Sequence, residues 1–157
     1  MTIVAHKQAA HEYLNRHFPL RGSEQMCGYV QLRDGKSVAA VAYDDFTDTN
    51  CWMHCAGEGH WLNRAFLNQA FHFPFQQAML TRVTVWVEAN NLASRRFVSH
   101  LGFEPEAVLR GAGRAGVDAH IYVLWRDACQ YGRVESHDGV ERWRKPVRSA
   151  GRSGSGS

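Results

Sequence analysis

Gly57, Gly59, His60 and Trp61 lie in the stretch AGEGHW, where the β-prone run CWMHCA gives way to an apolar stripe with helical spacing. A glycine-bearing loop at such a junction lets the backbone approach an anion, and the amides and dipole of a following helix stabilise the charge. The same glycines also suit a plain strand-to-helix turn. Three side chains able to carry protons flank this loop: His54 in the strand run, Glu58 in the loop itself, and Glu88 at the end of the run RVTVWVE. Glu58 facing inward would repel a phosphate, which ranks Glu88 and His54 above it as bases. Cys51 and Cys55 share one face of a strand and, with His54, are of metal-ligand type. Buried free thiols account for them better, and no metal is expected.

The elements that must hold these residues follow from periodicity. In HKQAAHEYLNRHF, over residues 6–18, Ala9, Ala10, Tyr13, Leu14 and Phe18 recur at three- and four-residue steps, which predicts a helix. Strands are expected over Met26–Arg33 and Ser37–Tyr43, joined by Asp34-Gly35, a pair suited to a tight hairpin turn. A third strand spans 51–56 and ends at Gly57-Glu58-Gly59. From His60 a helix is expected with Leu62, Phe66, Ala70 and Phe73 on one stripe, and Pro74 disfavours helical geometry at Phe73. Arg82–Glu88 alternates Val83, Val85 and Val87 against Thr84, Trp86 and Glu88, as a two-faced strand does. A short helix, Leu92–Leu101, is closed by Gly102. Strands near Glu104–Arg110 and Ala119–Trp125 flank the turn GAGRAG. This order predicts a mixed α/β (α+β) sheet, mostly antiparallel and flanked by helices, rather than a doubly wound parallel one. The early part of the chain is short, as if it lacked a full first strand and a second helix.

The order of elements and the stretch NNLASRRFVSHLGF together resemble the GNAT superfamily of N-acetyltransferases, and within it the RimJ/RimL-like branch that acetylates protein N-termini. The resemblance runs over residues 26–129. It is carried by Asn91, Ala93 and Ser94, by Leu101-Gly102-Phe103, and by the strands Ala107-Val108-Leu109-Arg110 and Val123-Leu124-Trp125. It implies acetyl-CoA as acyl donor, with its pyrophosphate at Gly57, Gly59, His60 and Trp61. It also implies a pantetheine arm along Met53 to Ala56, Cys55 included, with Asn91 reaching the arm and Ala93 leaving room beside it. Arg95 or Arg96 would add charge near phosphate or adenine, and Phe97 would lie against the cofactor. The loop AGEGHW matches only the glycines of the family's Gln/Arg-x-x-Gly-x-Gly/Ala pattern, in shortened form.

Amide formation by acyl transfer needs a neutral amine, stabilisation of the thioester oxyanion and a proton for the departing thiolate. Many relatives supply that proton from a tyrosine in the late helix, where this chain has Phe97 and Val98. The resemblance to RimL-like proteins therefore assigns the acid role to Ser94, with Glu88 and His54 as candidate bases acting directly or through water. The expected acceptor is a small amine or a protein N-terminus, in a cleft either open or completed by a second copy as a homodimer. Two other readings are set beside it. One is a catalytically inactive GNAT-fold structural or binding protein, such as a phage or assembly component. The other is amine modification on nucleic acid or its bound proteins.

Charge separates the chain into two parts. The formal net charge is +3, and residues 1–129 hold equal numbers of acidic and basic side chains, so the excess lies in 130–157. A neutral body argues against a nucleic-acid groove, leaving only the basic tail, with RWRKPVR over 142–148, as an electrostatic tether. The expected organisation is an acyltransferase domain over 1–129 and a basic, flexible appendage over 130–157, ending in the low-complexity GRSGSGS. Four cysteines without CxxC pairing, no signal-like apolar start and no bilayer-length apolar run point to a cytoplasmic protein with no membrane segment.

Overall fold

The computed structural model describes residues 1–132, together with the backbone of 134–137 and 140–143. Its elements are β1 (Thr2–Ala5), α1 (Lys7–Asn15), β2 (Cys27–Arg33), β3 (Lys36–Asp44), β4 (Asn50–Gly57), α2 (Arg64–His72), β5 (Arg82–Glu88), α3 (Leu92–Leu101), β6 (Glu104–Leu109) and β7 (Ala119–Trp125). Two further strands, β8 (Val134–His137) and β9 (Val140–Trp143), pair with each other in antiparallel fashion. The main sheet has seven strands in the order β1-β2-β3-β4-β5-β7-β6, with β4 and β5 parallel and every other neighbour antiparallel. The expected mixed, mostly antiparallel sheet is the one observed.

Alternation along the strands separates two cores. Val41, Tyr43, Cys51, Met53, Val83, Val85 and Val87 face α2 and α3, whereas Ala40, Ala42 and Val30 pack under Ala10, Tyr13 and Leu14 of α1. Asp34 and Gly35 both take positive φ, 52° and 73°, as a primed hairpin turn requires. Gly102 closes α3 in the left-handed region.

Three expectations change. A first strand does exist: Thr2–Ala5 pairs with the outer edge of β2, a nonlocal contact that a four-residue, mostly exposed run does not advertise. The helix expected from His60 starts at Arg64, because Asn63 takes the N-cap and its side chain accepts from the Phe66 amide. Phe73 stays helical (φ −58°, ψ −58°), and the chain passes Pro74 through a wide π turn over Phe73–Gln77.

Pro74 cannot donate to the carbonyl of Ala70, four residues back. That carbonyl instead accepts from the buried hydroxyl of Tyr43. Burial pushes the Tyr43 hydroxyl well above its ordinary pKa, so it remains a donor. Tyr43→Phe should therefore strand a buried carbonyl and cost about 1–3 kcal/mol. In thermal melts this is a fall of several degrees, absent from a Tyr29→Phe control.

Tyr131 and Gly132, placed by sequence in the appendage, pack on α2. The Tyr131 ring stacks on Phe71 with centroids 6.0 Å apart, and the Gly132 carbonyl lies 3.0 Å from His72 Nδ1. A chain ending at Gly132 should keep the melting transition of the full chain. One ending at Cys129 should melt several degrees lower, through loss of an aromatic contact worth about 1 kcal/mol or more. The remainder of the basic tail, including 144–148 and GRSGSGS, lies outside the described residues.

Candidate functional site

β4 and β5 begin side by side and then part. They pair only at Asn50 with Arg82, Cys51 with Val83 and Trp52 with Thr84. Beyond that, β4 stays with β3 as far as Gly57, and β5 stays with β7 as far as Glu88. Met53–Gly57 and Val85–Glu88 thus border an opening in the middle of the sheet.

Each face of the opening carries a hollow. On the α2/α3 side a largely apolar cavity of about 590 Å3 is lined by Met53, Cys55, Val85, Val87, Ser94 and Phe97, among others. On the α1 side a cleft of about 880 Å3 is bounded by His54, Trp86, Glu88 and Asn91, with Phe18–Leu20 and Ala112–Arg114 at its rim. The residues singled out from sequence are therefore divided between two faces. Ser94, Met53, Cys55 and Phe97 share one hollow, and His54, Glu88 and Asn91 share the other.

In the first turn of α3, Asn91 is the N-cap, its Oδ1 accepting from the Ser94 amide at 3.1 Å. Its carbonyl oxygen is thereby committed, and only Nδ2 remains for another partner. The half-buried Ser94 makes no side-chain hydrogen bond within the described residues. Ala93 is exposed on the same turn, and Arg96 lies with Leu92, Arg95 and His100 on an open surface of α3 outside the apolar cavity. Arg95 is structural, bonding the Tyr122 hydroxyl and the Ala89 carbonyl.

The loop after β4 departs most from expectation. His60 and Trp61 precede α2 instead of opening it. The Trp61 indole lies directly against Gly57, where an added Cβ would sit 2.1 Å from the ring, and it meets Phe97 edge-on at 5.9 Å. The glycine at 57 is required by this close approach. Gly59 has φ 61° and faces open space, while His60 is exposed with its carbonyl near Arg33. The loop is held from below by buried Gln31, which donates to the Trp61 carbonyl and accepts from Asn63, both at 2.7 Å. Glu58 turns to His17 at 3.4 Å.

The electrostatics of the α1-side cleft rest on two pairs. His54 Nε2 lies 2.9 Å from Oδ1 of the nearly buried Asp44. An ionised carboxylate can only accept, so this contact puts the imidazole proton on Nε2 and leaves the Nδ1 lone pair free. Glu88 Oε1 accepts from the Arg114 backbone amide at 2.9 Å and from its Nε at 3.1 Å. The backbone bond from Arg114, more than the guanidinium itself, holds the Glu88 carboxyl below the usual range. Stability from this pair is present above the ordinary Glu pKa of about 4.3 and is lost as pH falls through the lower folded value. Glu88→Gln should remove that acid-limb loss, as read from urea midpoints between about pH 5 and 3.

Burial pushes the Cys55 and Cys51 thiols up to about 12, so neither is a thiolate nucleophile. Alternation also sets both on the face opposite His54, which separates the three residues of the metal reading. No group of three potential ligands occurs among the described residues. Nor is any described helix long and apolar enough to cross a membrane.

Sequence reasoning missed Asp44, Arg114, Gln31 and Trp86. Only Asn63 carried a local signal, as an N-cap residue three positions before the first apolar residue of the stripe.

A sheet divided at β4/β5, with helices on both faces and hollows either side of the division, is the fold of the GNAT acyltransferases. No family model matches the sequence, and no curated protein matches it. The likeness is to solved structures. A point mutant of spermidine N-acetyltransferase SpeG from Vibrio cholerae superposes with a TM-score of 0.68 at 12% identity, over 81% of this chain and 96% of that one. A dodecameric structure of spermidine N-acetyltransferase from the same organism, in an intermediate state, also gives 0.68 at 12% identity, over 80% and 94%. An acetyltransferase from T. thermophilus gives 0.57 at 18% identity, over 68% and 62%. At these identities the likeness establishes the fold.

Proposed function

We propose that the protein is an N-acetyltransferase that moves an acetyl group from acetyl-CoA to a primary amine by direct attack. The observation that carries this reading is the β4/β5 opening, with a Ser94-lined cavity on one face and a His54- and Glu88-lined cleft on the other. Donor and acceptor can then meet across the sheet. The residues present suit the cofactor: the β4 backbone from Met53 to Gly57 lacks a β5 neighbour and can pair with the peptide-like amides of pantetheine, and the cavity beside it is apolar. The first turn of α2, after Asn63, favours a pyrophosphate by its dipole. Gly57, Gly59 and His60 border that position.

Bound acetyl-CoA would supply the activated thioester. On the protein side, His54 Nδ1, with the ring held by Asp44, takes the amine proton, and Glu88 holds the incoming amine or a bridging water. The Ser94 hydroxyl donates to the departing sulfur. The RimJ/RimL-like branch rests on NNLASRRFVSHLGF alone. A cytoplasmic setting suits the four free thiols. A homodimer belongs to the same reading, since β6 is a sheet edge exposed along its whole length.

Calorimetric titration with acetyl-CoA tests the proposal, which expects saturable one-site binding. The second reading, a GNAT-fold protein without catalysis, is favoured by Trp61, which fills the space between Gly57 and Phe97 at the loop end of the cavity. Absence of any binding heat or thermal shift with acetyl-CoA would select that reading.

A further inference from the structure

We infer that the acceptor is a singly charged primary amine on an apolar or aromatic body, not a polyamine. This rests on the α1-side cleft being the acceptor site of the proposed reaction.

The charge inventory of the cleft decides the matter. Its lining contributes one carboxylate, Glu88, and one guanidinium, Arg114, and these bond each other. Asp44, behind His54, is 8% exposed and has Oδ1 committed to the imidazole. One carboxylate oxygen, Glu88 Oε2, has no partner among the described residues and can receive the N–H of a single amine. A polyamine would bring further ammonium groups to walls made by Phe18, Pro19, Leu20 and Trp86, where no carboxylate answers them. Desolvating an unpaired ammonium there is strongly unfavourable.

The same walls explain an otherwise uncompensated feature. Trp86 is 41% exposed at mid-strand on the sheet, with its indole on the cleft. A large indole left open beside Glu88 is a surface for an apolar or aromatic body to stack on. In the reaction the C–N bond forms as the C–S bond breaks. The amine nitrogen gives one proton to His54 Nδ1 and the sulfur gains one from Ser94, so charge and protons balance over the turnover.

The test uses the full chain with acetyl-CoA and three acceptors at equal concentration: phenethylamine, spermidine and a short peptide with a free N-terminus. Phenethylamine should exceed both others in kcat/KM by about tenfold or more. Trp86→Ala should reduce that value about tenfold through KM, with kcat nearly kept, while Trp86→Phe restores most of it. Equal or better use of spermidine or the peptide, or a Trp86→Ala effect equal for all three, overturns the inference while leaving the acyltransferase reading intact. If acetyl-CoA itself fails to bind, that reading falls instead. The amine class is then decided by whether phenethylamine, and not spermidine, shifts the Trp86 indole signal in NMR spectra.

Discussion

His54→Ala should lower the acetyl-transfer rate by about 10²- to 10⁴-fold, the range for loss of a positioned general base, with acetyl-CoA affinity unchanged. The size follows from geometry. His54 is on the face of β4 away from the cofactor cavity, so its loss does not touch donor binding. Asp44 leaves Nδ1 as its unprotonated nitrogen, so the ring is already in the tautomer that accepts a proton. Exogenous imidazole should restore part of the rate in the variant. Asp44→Asn should give a smaller loss, because an amide can still meet the ring but no longer forces the tautomer. Full single-turnover activity in His54→Ala would exclude it as the base and pass the role to Glu88. That residue, held anionic by the Arg114 amide, is the weaker acceptor of a proton.

Ser94→Ala should reduce the single-turnover rate by roughly 10²-fold or more if its hydroxyl protonates the leaving sulfur. Acetyl-CoA affinity should remain nearly intact. The contrast with Asn91→Ala makes the test sharp. Asn91 caps α3 through the Ser94 amide, so its removal costs about 1 kcal/mol of stability, together with any hydrogen bond from Nδ2 to pantetheine. The Asn91 variant should thus melt lower and bind acetyl-CoA more weakly, whereas the Ser94 variant should do neither and turn over slowly. An unchanged rate in Ser94→Ala would leave water or another side chain as the acid.

Much of the scaffold was legible because its signals are local. Alternation placed β2, β3, β4, β5 and β7 within a residue or so of their ends, the Asp34-Gly35 turn takes the φ values its residue types favour, and Gly102 closes α3. The errors arose where a distant group outweighed a neighbour. Pro74 argued for a helix end, yet Tyr43 on β3 supplies the donor that lets the chain pass it. Gly59 looked like a helix entrance, yet Gln31 on β2 holds Trp61 and Asn63 and moves the start to Arg64.

The candidate site divides in the same way. Period-two alternation alone groups Met53 with Cys55 and Val85 with Val87, and opposes them to His54, Trp86 and Glu88. That much is a property of any extended chain. The pairings that give these residues their chemistry, His54 with Asp44 and Glu88 with Arg114, join positions 10 and 26 residues apart, and no local pattern encodes them. The parting of β4 from β5 is less local still. It exists because each strand is held along its other edge, β4 by β3 and β5 by β7, over more residues than they share with each other. Side-chain types and their faces were determined along the chain by sterics and hydrogen bonding between near neighbours. The opening and the proton-handling pairs were decided only when separate strands competed for backbone partners in the folded sheet.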